Sequence, residues 1–246
     1  MVKVDTVYQT VLALANKEQR GYITPQEFNL FARLAQMDIF EQYFYDLNQF
    51  KRVPQNDKKY SNPVDIINEK LDYFRTRATL DSGSDNNLST YNLPNNHYRT
   101  TTVWRRIHSV GAQVSGARTC ERVYHGDYRA IIDSPLTRPT QERPIYAVYQ
   151  SGDSSRIIIN PAATMDPGVE LFYIKKPASP SWGYVIVGGS AMYNPDGGTQ
   201  DFELHPSEEQ NLVIKIAKLA GIAIKDAGLA QAASQEEVKN YTQEKA

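Results

Sequence analysis

Apolar residues recur at helical spacing near both ends of this chain and at strand spacing through its middle. Val4, Val7, Tyr8, Leu12 and Leu14 follow a helical period up to Asn16. Thr24-Pro25-Gln26-Glu27 then reads as a helix start. Threonine caps the first amides, proline fits the first helical position, and glutamate three residues on reaches back to the cap. The pattern runs on without Gly or Pro to Val53-Pro54, a stop signal. A third helix is expected from Pro63 to about Arg77.

Residues 78–98 are polar and turn-rich, and read as an exposed loop or linker. Strands are expected at Thr100–Ile107, Arg122–Ile132, Ile145–Tyr149, Arg156–Ile159, Val169–Ile174 and Tyr184–Val187, where β-branched and aromatic residues concentrate. Ser151-Gly152-Asp153-Ser154 reads as a hairpin turn, and Val187-Gly188-Gly189-Ser190 as a turn after a strand. No long helical pattern interrupts these strands, which favours a mostly antiparallel sheet or small sandwich over βαβ units. Ser207-Glu208-Glu209-Gln210 fits a capping box, and Leu212, Val213, Ile216, Leu219, Ala220 and Ala223 form one apolar stripe after it. The fold class is therefore α+β. Its expected parts are N-terminal helices over 1–77, a linker over 78–98, a β-rich region over 99–200, and a C-terminal amphipathic helix and tail over 201–246 that packs with the N-terminal helices.

The second helix changes this picture most. Five of the chain's eight phenylalanines (Phe28, Phe31, Phe40, Phe44 and Phe50) lie on it, with Tyr43, Tyr45 and several aliphatic residues. These positions cover most of the circumference, so the helix is expected to be buried nearly all round. Either it is a central core helix or one face meets a neighbouring subunit. Phe28, Phe31, Phe40, Tyr43, Phe44 and Tyr45 are the candidate subunit-interface positions.

Formal net charge is −1 over 246 residues, so no global field draws the chain to nucleic acid or anionic lipid. Segment 99–146 is locally basic. Arg99, Arg105, Arg106 and Arg118 head a group of arginines that suits nucleic acid, acidic partner subunits or the chain's own carboxylates. No stretch approaches the length of apolar chain that spans a bilayer, and the first residues lack the apolar core of a signal peptide. The chain is expected to be made in a cytoplasm and kept there, or released only by lysis.

Candidate chemistry is sparse. Asn16 to Glu27 has the outline of an EF-hand calcium loop, but Asn16 stands at the first ligand position and the cation Arg20 at the fifth. It is read as a helix boundary. His97, His108, His125 and His205 lack metal-ligand spacing. His205 is assigned a structural place at a helix start. Cys120, the one cysteine, reads as a buried bystander. No catalytic residue, metal or cofactor is assigned.

Four stretches, in order, carry a resemblance: Arg20 to Phe44 (RGYITPQEFNLFARLAQMDIFEQYF), Ser134 to Tyr146 (SPLTRPTQERPIY), Tyr173 to Trp182 (YIKKPASPSW) and Asp201 to Ile222 (DFELHPSEEQNLVIKIAKLAGI). Together the chain resembles structural proteins of podoviruses that infect Bacteroidetes, including the crAss-like phages. The resemblance implies a non-enzymatic virion component of the portal–tail region: a neck ring, twelve-fold by the same resemblance, whose partners are its own copies, the portal and other neck or tail proteins. A tail-fibre adaptor is the alternative, and a particle-borne enzyme the remote one.

Overall fold

A computed structural model describes residues 1–16, 23–51, 62–80, 89–107, 116–152, 154–163, 168–224, 231 and 233–239. In chain order the elements are α1 (Val4–Asn16), α2 (Pro25–Phe50), α3 (Pro63–Asp72), β1 (Arg75–Leu80), β2 (Thr90–Asn92), β3 (His97–Ile107), β4 (Gly116–Thr119), β5 (Glu121–Arg122), α4 (His125–Asp133), β6 (Ile145–Ser151), β7 (Ser154–Asn160), β8 (Val169–Lys175), β9 (Tyr184–Val187), β10 (Ser190–Tyr193) and α5 (Glu209–Ile224). Two compact units result. The first joins Met1–Tyr73 to Pro177–Ala246, and the second is Phe74–Lys176.

In the helical unit, α2 packs against α3 and α5, and α5 also against α1. The capping box at Thr24 forms as expected. Thr24 Oγ1 accepts from the Glu27 amide at 3.3 Å, and Glu27 Oε2 accepts from the Thr24 amide at 3.0 Å. The Thr24 amide and then the Thr24 hydroxyl, both donating to this carboxylate, hold the Glu27 carboxyl below its ordinary range. The α2 core stripe is Phe28, Ala32, Ala35, Ile39, Phe40 and Tyr43. The expectation of burial all round is corrected: Leu30 is 63% exposed, and Leu34 and Tyr45 are also exposed. The helix therefore leaves some apolar side chains outside the core, on a face that also carries Arg33, Asp38 and Glu41.

Four other expectations change. The third helix ends at Asp72, and Arg75–Leu80 is a strand, because its alternating side chains pair with β8 from Arg75↔Ile174 to Leu80↔Val169. Residues 78–98 are not a continuous linker. They end β1, include β2 and begin β3, and Tyr91 in β2 and Leu93 just after it are core residues; 81–88 lie outside the described residues. The capping box at Ser207 is replaced by His205, whose Nδ1 accepts from the Ser207 amide at 3.2 Å. A 3-10 turn, Pro206–Glu208, then leads into α5. Glu208 is buried against Lys70 Nζ at 2.6 Å, so it serves packing rather than the cap.

The second unit is a layered β structure. One sheet has the order β1-β8-β3-β4 and the other β2-β7-β6-β5. Their facing side chains form one core that includes Leu80, Tyr91, Val103, Cys120, Tyr146, Ile157, Ile159 and Leu171. The β6–β7 hairpin turns where expected, with Ser151 opposite Ser154 and Gly152 at φ 60°. The expected strand over Arg122–Ile132 is corrected: only Glu121–Arg122 is extended and His125–Asp133 is helical. Tyr128, Ile131 and Ile132 sit at helical spacing and cover Ile145 and Ala147 on the second sheet's outer face. The crossover makes β5 and β6 parallel, in a sheet otherwise antiparallel.

Cys120 lies in this core beside Arg105, and burial pushes its thiol up to about 12 although the guanidinium pulls the other way. A disulfide reagent at pH 8 should therefore label the native thiol on the order of 10³-fold more slowly than the unfolded chain. Prompt labelling of folded protein, followed by absorbance, would contradict the placement.

Candidate docking site

The candidate site is a hairpin held at its root. At the base, Ser181 and Gln200 exchange backbone hydrogen bonds of 3.0 and 2.8 Å. Trp182 comes next and is 2% exposed. Its amide donates to Asn29 Oδ1 at 2.8 Å, its carbonyl accepts from Asn29 Nδ2 at 3.3 Å, and its indole Nε1 donates to Asp5 Oδ1 at 2.9 Å. The ring lies 4.3 Å from Tyr8 and stacks on Tyr184 and Tyr193 at 5.9 and 5.8 Å. Two turns along α2, buried Gln36 donates to the Ala178 carbonyl at 2.7 Å and accepts from the Glu203 amide at 3.2 Å. Asn29 and Gln36 thus hold the chain on both sides of the hairpin.

Above the root, β9 and β10 pair from Tyr184↔Tyr193 to Val187↔Ser190. The turn has Gly188 at φ 59° and Gly189 at φ 85°, the left-handed pair that a tight two-residue hairpin needs. Among the described strands these two pair only with each other. Ile186 is 69% exposed, and Val185, Val187 and Met192 are also exposed. Cross-strand pairing puts Ile186 with Ala191 on one face and Val185 with Met192 on the other, so apolar groups cover both faces. No charged residue lies between Lys176 and Asp196. A two-stranded ribbon is marginal alone, so this one depends on its anchored root. Its apolar surface suits docking against another apolar surface.

The interface positions expected from sequence separate. Phe28, Phe40 and Tyr43 are buried in the chain's own core. Phe31 and Phe44 are half-buried, and Tyr45 is exposed. The four arginines separate too. Arg105 is fully buried, donating through Nε and Nη2 to the Ala162 carbonyl at 3.2 and 2.7 Å, which corrects its assignment to a partner-facing surface. Arg106 pairs with Glu170, Arg118 Nε pairs with Glu142 at 2.7 Å, and Arg99 is exposed on β3. Residues 17–22 of the calcium-like outline lie outside the described residues. Among the described residues no group of three His, Cys, Asp or Glu side chains could hold a metal, and no helix is long and apolar enough to cross a membrane.

The strand at Tyr184–Val187 and the glycine turn after it were legible in the sequence, and the charge-free run after Lys176 is the further signal that marks this hairpin. Nothing in the sequence pointed to Asn29 and Gln36, because two amides spaced along a helix have no pattern of their own.

Gly183 tests the root. A Cβ there would lie 2.5 Å from Thr199 Oγ1, 2.7 Å from the Asn194 carbonyl oxygen and 2.9 Å from that of Gly197. Gly183→Ala should cost about 1–3 kcal/mol in chemical denaturation. A cost below about 0.5 kcal/mol would show that the root is looser than described.

No protein-family model matches the chain, and no curated protein matches it either.

Proposed function

We propose that this chain is a structural subunit of a tailed-phage particle, an oligomeric ring of the neck between portal and tail. In this reading the β9–β10 hairpin seats on the neighbouring copy. The observation that carries it is the hairpin itself: uncharged, apolar on both faces, exposed, and held at its root by Trp182. The sequence resemblance to podovirus structural proteins supports the setting.

A ring closes through a heterologous contact, in which one patch meets a different patch on the next copy. A preformed arm suits that need because little conformational freedom remains to be lost on docking. Burying each exposed aliphatic side chain contributes about 1–2 kcal/mol. Val185, Ile186, Val187 and Met192 together then supply a useful part of one contact, and closure of the ring multiplies it. The virion is the location this reading assigns, with the portal and adjoining neck or tail proteins as further partners.

The test is Ile186→Asp in the phage genome and in purified protein. The isolated variant should keep its melting temperature within about 2 °C, as an exposed site allows. Its abundance in purified particles, by quantitative mass spectrometry, should fall about 30-fold or more, since a charge would be buried in the contact. Incorporation at the wild-type level would remove the hairpin from the interface. Absence of the wild-type chain from particles would end the structural reading.

A further inference from the structure

We propose that the β9–β10 hairpin docks by strand addition: the open edge of β10 pairs with the open edge of β9 in the next copy of this chain. This deepens the assembly reading above and rests on it. The phase of the ladder decides which backbone groups are open. The Asn194 amide donates to the Gly183 carbonyl at 2.9 Å, which makes those two residues a hydrogen-bonded pair. Hydrogen-bonded and non-hydrogen-bonded pairs alternate along an antiparallel ribbon. Val185↔Met192 and Val187↔Ser190 are therefore bonded across the hairpin, while Tyr184↔Tyr193 and Ile186↔Ala191 aim their amides and carbonyls outward. Each edge thus offers two amides and two carbonyls, from Tyr184 and Ile186 on β9 and from Ala191 and Tyr193 on β10. Among the described residues no third strand takes up either edge.

Three features point to a second copy as the occupant. The first is that both edges are unguarded. Soluble proteins blunt an open edge with charge, proline or a bulge. Residues 184–193 contain no charged residue and no proline, and their register runs without a shift. The second is number. A strand from another protein would fill one edge and leave the other open. A second copy fills β9 with its own β10, and its β9 receives the β10 of a third. One kind of contact then satisfies both edges, and it is the heterologous kind that closes a ring.

The third is direction. A rotation axis running along the hairpins leaves every β9 pointing the same way. The β10 of one copy then meets the β9 of the next antiparallel, the more stable of the two pairings. A two-stranded ribbon that is marginal alone becomes part of a wider sheet. The apolar groups on its two faces, Ile186 with Ala191 and Val185 with Met192, extend as cross-strand rows from copy to copy.

The experiment compares Ala191→Pro with Ala191→Val in the full chain. Proline there removes one outward N–H and leaves the hairpin's own bonds, which run through Ser190 and Met192. The purified proline variant should keep its circular dichroism and a melting temperature within about 3 °C of the parent. Its abundance in purified phage particles, by quantitative mass spectrometry, should fall about 10-fold or more, because a carbonyl on the neighbouring edge loses its donor. The valine variant should stay within about two-fold of the parent, since its amide is intact. Should the proline variant fail to fold, residue-resolved hydrogen exchange of the unaltered chain decides. The Ile186 and Ala191 amides should exchange freely in the isolated chain and at least about 100-fold more slowly in particles. Wild-type incorporation of the folded proline variant, equal depletion of the valine variant, or free exchange of those two amides in particles would overturn strand addition. If Ile186→Asp is depleted while Ala191→Pro is not, the hairpin docks through its faces and only this inference falls. If neither is depleted, the hairpin's place in the contact falls as well.

Discussion

An indole N–H taken out of water must find an acceptor, and the hairpin depends on how Trp182 meets that demand. Asp5, in the first turn of α1, supplies the carboxylate oxygen. Asn29 on α2 satisfies the backbone of the same residue at both its amide and its carbonyl. One residue therefore ties the hairpin to two helices. Asp201 adds a further tie, since its Oδ1 accepts from the Val4 amide at 2.9 Å, where α1 begins. A buried polar group left unpaired would cost more than these bonds contribute when made. The root is thus specified by polar pairing as much as by the Tyr8, Tyr184 and Tyr193 rings around the indole.

The β unit meets the same demand differently. Arg105 is buried beside Cys120 and Tyr91, and burial lowers its pKa from the ordinary arginine value while both neighbours oppose the shift. Its bonds go to a backbone carbonyl rather than to an acid. Glu170, on the opposite face of the same sheet, is held by two arginines. One sheet therefore separates a structural arginine from surface ones, although Arg105 and Arg106 are adjacent in sequence.

That adjacency explains what could be read from the chain and what could not. Strand and helix identity was legible wherever period and punctuation agreed: α1, the Thr24 cap, the 151–154 turn and the α5 helix all formed. Element type failed where pairing or layering overrode local preference. Arg75–Leu80 became a strand because β8 offered an edge, and His125–Asp133 became a helix because the second sheet had a face to cover. Burial on α2 was misjudged because apolar composition does not say which aromatic residues find partners. Phe40 did, while Leu30 and Leu34 remained outside. The hairpin was visible as a strand and a glycine turn, but its attachment to the helical unit depends on contacts between residues more than 150 positions apart.

The central claim is that a preformed apolar hairpin is presented for docking. Hydrogen exchange over residues 184–193, compared between the free chain and the chain within purified particles, tests it most directly. The account predicts rapid exchange at the unpaired edges of β9 and β10 in the free chain, and strong protection of the same segment after assembly. Equal exchange in both states would contradict it, because the hairpin would then meet nothing in the particle.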